Sequence, residues 1–244
     1  MNNVLSISGG GIRGALPLTW LVELEEETGK SCRELFQFLV GNSTGSIIIL
    51  GLSLGFPAKA LLKFYTEKGD YIFKKDRFRK LLTLGNITKA KYDEKYLEEV
   101  LDYYFKDGCL LDGGIYINNP SMSALVSSIR MFGEDEEINL ISLGCGEISN
   151  KFNAKKLKNF SSIDWLKNIV PMMMDGQNKA VHYQLKEMYN KINGTYEKVE
   201  FKLSPELSSM DNGSKENVNK LIDVSKRYLC ENKKQFNRII DVIG

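Results

Sequence analysis

Short apolar runs that end directly in glycine-rich turns are the feature of this sequence that most restricts its fold. The run Val4–Ser8 leads into three consecutive glycines, and the run Gln37–Val40 leads into Gly-Asn-Ser-Thr-Gly at positions 41–45. The residues after each turn have a helical pattern, so the order is strand, tight turn, helix. A chain that repeats this order favours an α/β sandwich with a largely parallel sheet, whose functional loops lie at one edge.

The remaining pattern predicts more elements of the same kind. Helices are expected at 15–28, 33–36, 46–54 and 121–132, and a strand at 138–143 precedes Gly-Cys-Gly. From residue 164 onwards the chain reads as mostly helical, with amphipathic stretches at 176–190, 214–229 and 233–242. No repeat and no long polar linker divides the chain, which predicts one domain over residues 1–244.

Composition and charge exclude several classes of protein. The chain has 244 residues, 43% of them hydrophobic, and a formal net charge of +2. This balance is typical of a globular protein and lacks the basic excess of a dedicated nucleic-acid binder. Four scattered cysteines and one histidine favour a reduced, cytoplasmic setting, and we expect neither a metal site nor a cofactor. The N-terminus carries no signal-peptide pattern, and the most apolar stretch is too short to span a bilayer.

Ser43 is the candidate nucleophile of this chain. A serine hydroxyl needs a base within hydrogen-bond reach and donors aimed at the developing oxyanion. Gly41 and Gly45 permit the strained strand-to-helix turn that exposes such a serine, with Asn42 and Thr44 completing the turn. The candidate oxyanion loop comprises Gly9, Gly10, Gly11, Ile12, Arg13 and Gly14.

Asp112 is the candidate base. Gly113 and Gly114 follow it and would let the backbone approach closely. The single histidine, His182, lies in a predicted amphipathic helix, where a structural or surface role is the more common one. A dyad of Ser43 and Asp112 is therefore a more economical interpretation than a triad with His182.

These three motifs, in this order, resemble those of the patatin-like phospholipases. The resemblance implies a three-layer α/β/α sandwich with a mostly parallel central sheet and a helical C-terminal region. It also implies a lipid acyl hydrolase of the phospholipase A type, in which Ser43 attacks the acyl carbonyl and Asp112 takes its proton. Membrane phospholipid would be the substrate, reached by a peripheral contact. Some bacterial proteins of the family are effectors of anti-phage defence that cyclic nucleotides switch on. By this resemblance, a cyclic nucleotide could be an activator of this chain. The resemblance is also compatible with a homo-oligomer.

Residues 56–91 form a basic and aromatic segment. It carries ten Lys or Arg and three acidic residues. This mixture suits a lid or an interfacial surface that touches lipid headgroups, and it equally suits a solvated helix pair with a core of aromatic rings.

Two other functions stay open from the sequence. Only 69 positions separate Ser43 from Asp112, fewer than is usual in the family, which admits a binding or scaffold protein with impaired catalysis. A dinucleotide-binding enzyme would need an acidic residue at the end of a second strand, and the nearest match, Glu34, falls in a predicted helix.

Overall fold

A computed structural model of the chain describes residues 2–72, 119–148 and 162–244. Its centre is a sheet of four parallel strands in the order β2-β1-β3-β5. These strands are β1 (Asn2–Ile7), β2 (Phe38–Gly41), β3 (Ile138–Leu143) and β5 (Tyr196–Val199). A second, two-stranded sheet pairs β4 (Glu147–Ile148) with β6 (Lys202–Leu203).

Helices connect the strands of the sheet. They are α1 (Ala15–Thr28), α2 (Cys32–Leu35), α3 (Thr44–Ser53), α4 (Ala58–Ile72), α5 (Ser121–Phe132), α6 (Ser162–Met188), α7 (Lys215–Glu231) and α8 (Lys233–Ile243). Short 3-10 turns span Gly11–Gly14 and Pro205–Leu207. Local signals explain several boundaries: Gly29 ends α1 in the left-handed conformation, and Ser31 with Glu34 forms a capping box on α2.

The alternation of side chains along the central strand divides the core into two layers. Leu5 and Ile7 of β1 face the larger hydrophobic cluster, which they share with α1, α3, α4, α7 and α8. Val4 faces the opposite way and packs with residues of α5 and α6. Because helices cover both faces of a parallel sheet, the predicted three-layer α/β/α sandwich is confirmed.

The final third contains two strands, β5 and β6, that the sequence pattern did not predict. We expected it to be mostly helical, but Tyr196–Val199 forms the edge strand β5. Its Glu197 is buried and is paired with Arg238 of α8 at 2.6 Å, a partner 41 residues away that no local pattern shows. Helix α6 begins at Ser162, in line with the helical character expected from residue 164, and continues through Pro171 into the predicted amphipathic stretch 176–190.

Candidate active site

Three strand ends meet at the carboxyl edge of the sheet. There β1 leads into the glycine loop, β2 leads into Ser43, and β3 leads into Gly144. The Asn42 amide donates to the Ile7 carbonyl at 3.1 Å, and the Ser8 amide donates to the Leu143 carbonyl at 3.0 Å. The predicted gathering of the first two motifs at one edge is therefore seen in the fold.

Ser43 has a strained backbone. Its φ is 51° and its ψ is −123°, and it is the one residue other than glycine with a positive φ in the described parts of the chain. Such a conformation persists only where the surroundings impose it, and it commonly marks a functional site. Ser43 caps α3, and the amides of Ser46 and Ile47 donate to its carbonyl at 2.9 and 3.3 Å.

The glycines on either side of Ser43 are required by close packing. A Cβ atom at Gly41 would lie 2.4 Å from the carbonyl carbon of Gly45, and one at Gly45 would lie 2.3 Å from the Ile7 oxygen. A Cβ at Gly9 would come within 3.0 Å of both the Ser43 Cβ and the Asn42 Nδ2. The glycine loop therefore runs directly beside the candidate nucleophile, with no side chain between them.

The glycine loop offers backbone donors. Among the described residues, the amides of Gly9, Gly10 and Gly11 have no hydrogen-bond acceptor. Gly11 has a φ of 57°, and a Cβ there would lie 2.1 Å from the Met210 carbonyl oxygen. The same carbonyl accepts a hydrogen bond from the Ile12 amide at 2.9 Å. The segment around Met210 therefore packs against the glycine loop and is hydrogen-bonded to it.

Arg13 fixes the loop from within the protein. Its guanidinium donates to the carbonyls of Gly10 at 3.4 Å and Gly146 at 3.3 Å. Burial lowers the pKa of Arg13, whereas Cys145 and Glu200 act to raise it. Because both hydrogen bonds are to backbone carbonyls, Arg13 joins the loop after β1 to the turn after β3.

Two residues beside the loop were missed by the sequence reasoning. The buried hydroxyl of Tyr65 on α4 bonds that of Thr44, next to Ser43, and a Cβ at Gly14 would lie 2.8 Å from either oxygen. Glu200, which follows β5, forms an ion pair with Lys198 at 3.2 Å. Burial raises the pKa of Glu200. Neither residue belongs to a recognisable sequence motif. Only the tertiary structure shows that each lies close to the loops around the candidate site.

Asn42 and Cys145 are buried polar groups of the same edge. The Asn42 Nδ2 has no hydrogen-bond partner among the described residues, although the residue is only 5% exposed. The Cys145 thiol donates to the Ser8 carbonyl at 3.0 Å, and burial raises its pKa to about 12. Cys145 is therefore a neutral packing residue against Gly10, not a reactive thiol.

His182 does not lie near Ser43. Its Nδ1 is 3.0 Å from the Tyr196 hydroxyl at the start of β5. β5 and β2 are the opposite edges of the sheet, about 14 Å apart at the usual strand spacing. The structure therefore supports the structural role expected of this histidine and separates it from the candidate nucleophile.

Some predicted site residues lie outside the described residues. These are Asp112, Gly113 and Gly114, together with positions 73–91 of the basic segment. The described part of this segment, residues 56–72, contains the whole of α4. Glu34 lies in α2, where its carboxylate accepts from the Ser31 amide at 2.8 Å. The Glu34 carboxylate therefore caps a helix and does not lie at the end of a strand, where a dinucleotide-binding enzyme would need its acidic residue. This argues against the dinucleotide-binding alternative.

An apolar cavity of about 220 Å³ lies between α3 and α4. Its lining includes Ile47 and Ile48 of α3, together with Ala60 and Phe64 of α4. Ile47 is one helical turn from Ser43. The cavity is therefore close to the candidate nucleophile.

The chain matches the family model for patatin-like phospholipase over residues 5–120, a range that contains all three motifs. It is 38% identical over 104 residues to a cGAMP-activated phospholipase from Pseudomonas aeruginosa, an alignment that covers 43% of this chain and 31% of that protein. Over 71 residues it is 35% identical to an intracellular phospholipase A2 from Caenorhabditis elegans, covering 29% of this chain and 7% of that protein.

A longer alignment relates the chain to plant proteins. The chain is 23% identical to patatin-like protein 2 from Oryza sativa subsp. indica, and the alignment covers 95% of this chain and 84% of the rice protein. This alignment has 342 positions, more than the 244 residues of the chain, so the rice protein contains insertions relative to it. None of the described helices is both long enough and apolar enough to cross a membrane.

Proposed function

Because the chain belongs to the patatin-like phospholipase family, we propose that it is a lipid acyl hydrolase of the phospholipase A type with Ser43 as its nucleophile. The observation that carries the proposal is the strained, positive-φ backbone of Ser43, at φ 51°, directly beside Gly9. This conformation is strained, and it lies next to a loop whose first amides have no acceptor among the described residues, an arrangement that suits acyl transfer to a serine.

The proposed reaction has two halves. The Ser43 hydroxyl oxygen attacks the ester carbonyl carbon while its proton passes to Asp112, and amides of the loop from Gly9 hold the oxyanion. The intermediate collapses to an acyl-serine, and the proton returns from Asp112 to the departing alcohol. Water then attacks the acyl-serine, and Asp112 takes a proton from the water and returns one to Ser43, which releases the fatty acid. Asp112 is assigned from its Asp-Gly-Gly motif.

Release of fatty acid from phospholipid liposomes tests the proposal. We expect the purified chain to release fatty acid and Ser43→Ala to release none. Ser53→Ala is the matched control, because Ser53 lies on the same helix and its exposed hydroxyl donates to the Leu50 carbonyl of that helix at 2.8 Å. Activity retained by Ser43→Ala, at a melting temperature equal to that of the wild type, would refute the mechanism.

A cyclic nucleotide is the proposed activator. Its support is the name of the Pseudomonas relative, a cGAMP-activated phospholipase, and the net charge of +7 over residues 56–91. The liposome assay is therefore run with a panel of cyclic mono- and dinucleotides. Release that depends on one nucleotide would identify a regulated effector, and equal release with and without the panel would refute this part of the proposal.

The scaffold alternative makes the opposite prediction about Ser43. Labelling by a fluorophosphonate requires an activated serine, so the hydrolase should be labelled at Ser43 and the scaffold should not. No labelling and no release, with or without nucleotides, would favour a binding protein that kept the fold.

A further inference from the structure

The cavity between α3 and α4 begins one helical turn from Ser43. The Ile47 amide donates to the Ser43 carbonyl at 3.3 Å, so Ile47 lies below Ser43 on the same side of α3. On the other side of the gap, the Tyr65 hydroxyl bonds that of Thr44, which fixes α4 against the start of α3. A group attached to Ser43 could therefore enter the gap between the two helices beside Ile47.

The lining of the cavity is apolar and its two charged residues neutralise each other. Ile47 and Ile48 of α3 and Phe64 of α4 are among the apolar side chains that line it. Lys63 and Glu67 lie at the rim, four positions apart on α4, with Nζ and Oε1 3.6 Å apart and most of each side chain exposed. Because this pair is already matched and solvated, it does not attract a charged ligand into the cavity.

Ala60 leaves the cavity open to solvent. It lies among the lining residues and is exposed, as is Phe56 at the end of the α3–α4 connection. An open, apolar cavity of about 220 Å³ beside a serine nucleophile has the shape and polarity for a hydrocarbon chain. Each methylene group that moves from water into such a surface strengthens binding about fourfold.

We propose that this cavity binds the acyl chain of the ester substrate and thereby sets the preference for chain length. The proposal rests on the proposed function, because the chain enters the cavity from the acyl group carried by Ser43. It assigns a specificity role to Ile47, Ala60 and Phe64, which belong to none of the three motifs.

The experiment fills the cavity and varies the chain length. Ala60→Trp places an indole in the opening, and Ala60→Leu fills it in part. Lys68→Trp is the matched control, because Lys68 is an exposed residue of the same helix that does not line the cavity. Initial rates are measured on p-nitrophenyl esters from acetate to decanoate, and thermal unfolding checks that each variant is folded.

We expect the kcat/KM for decanoate, relative to acetate, to fall about tenfold in Ala60→Trp, because at least two methylene groups lose their site. Ala60→Leu should give a smaller decrease, and Lys68→Trp should change the ratio by less than about twofold. An unchanged ratio in folded Ala60→Trp, while hydrolysis still requires Ser43, would overturn the acyl-chain site and leave the proposed hydrolase standing.

If the chain hydrolyses no ester, a binding measurement tests whether the cavity accepts a hydrocarbon chain. Decanoate is titrated calorimetrically into Ser43→Ala and into the double variant Ser43→Ala/Ala60→Trp. Affinity about tenfold weaker in the double variant would support the cavity as the chain site even though the hydrolase had failed. Equal affinity in both proteins, or no binding to either, would overturn it.

Discussion

At the scale of single residues, Gly45 shows how little room the turn around Ser43 leaves. We expect Gly45→Ala to lower the free energy of unfolding by about 2 kcal/mol, because its Cβ would lie 2.3 Å from a backbone oxygen that cannot move aside. Gly176→Ala is the matched control: Gly176 lies inside α6 with nothing within 4 Å, so alanine should stabilise by about 0.5 to 1 kcal/mol. Urea unfolding measures both, and a neutral Gly45→Ala would contradict the packing.

Glu200 should make the stability depend on pH. Burial raises its pKa in the fold, with Lys198 and the Gly146 amide opposing and Glu147 reinforcing the shift. As the pH rises through the ordinary value of about 4.3, the unfolded chain ionises first and is stabilised, so the folded protein loses stability until the pH passes the raised pKa.

Glu200→Gln removes this ionisation. We therefore expect the stability of Glu200→Gln relative to the wild type to be greater near about pH 7 than near about pH 4. Urea unfolding at both pH values gives the comparison. A difference that is constant with pH, or that changes in the opposite direction, would show that the carboxyl is not destabilised by burial.

At the scale of elements, the packing of α6 on β5 can be tested through the only histidine of the chain. Burial lowers the pKa of His182, and the nearby Lys198 and Lys186 lower it further. We expect an NMR titration of its single imidazole to give a pKa below about 6.5. A value at or above this would mean that α6 does not hold His182 against β5.

The elements that the sequence predicted well are those with local signals. Helix α1 spans the predicted residues 15–28, because Pro17 lies in its first turn and Gly29 ends it, and β3 spans the predicted 138–143. The turn at Ser43 was also predictable. Its close packing leaves no room for a side chain on either side of Ser43, and the two glycines that meet this requirement are visible in the sequence.

The elements that the sequence missed depend on distant partners. β5 contains Glu197, whose burial is compensated by Arg238 and Gln235 of α8, and this compensation exists only in the folded chain. Tyr65 and Glu200 were missed for the same reason, because their partners beside the site are brought close by the fold. The residue types of Tyr65 and Glu200 alone did not indicate that these side chains lie near the candidate site.

At the scale of the whole molecule, contacts between distant parts of the chain predict a single cooperative unit. Asn3 of β1 donates to the Ile243 carbonyl at 3.2 Å, and Ser225 of α7 donates to the Leu16 carbonyl of α1 at 2.9 Å. Because such contacts join both ends of the described chain, we expect one unfolding transition. Tryptophan fluorescence and far-UV circular dichroism should give coincident urea midpoints, and separated midpoints would contradict a single domain.

The central position of β1 also has a consequence for synthesis. One side of this buried strand pairs early with β2, but its other partner lies far along the chain, as in the pairing of Val4 with Leu140. At typical elongation rates the ribosome needs on the order of ten seconds to make the segment between β2 and β3. During that interval a short apolar strand has one unpaired edge, which makes nascent chains prone to aggregate and dependent on chaperones.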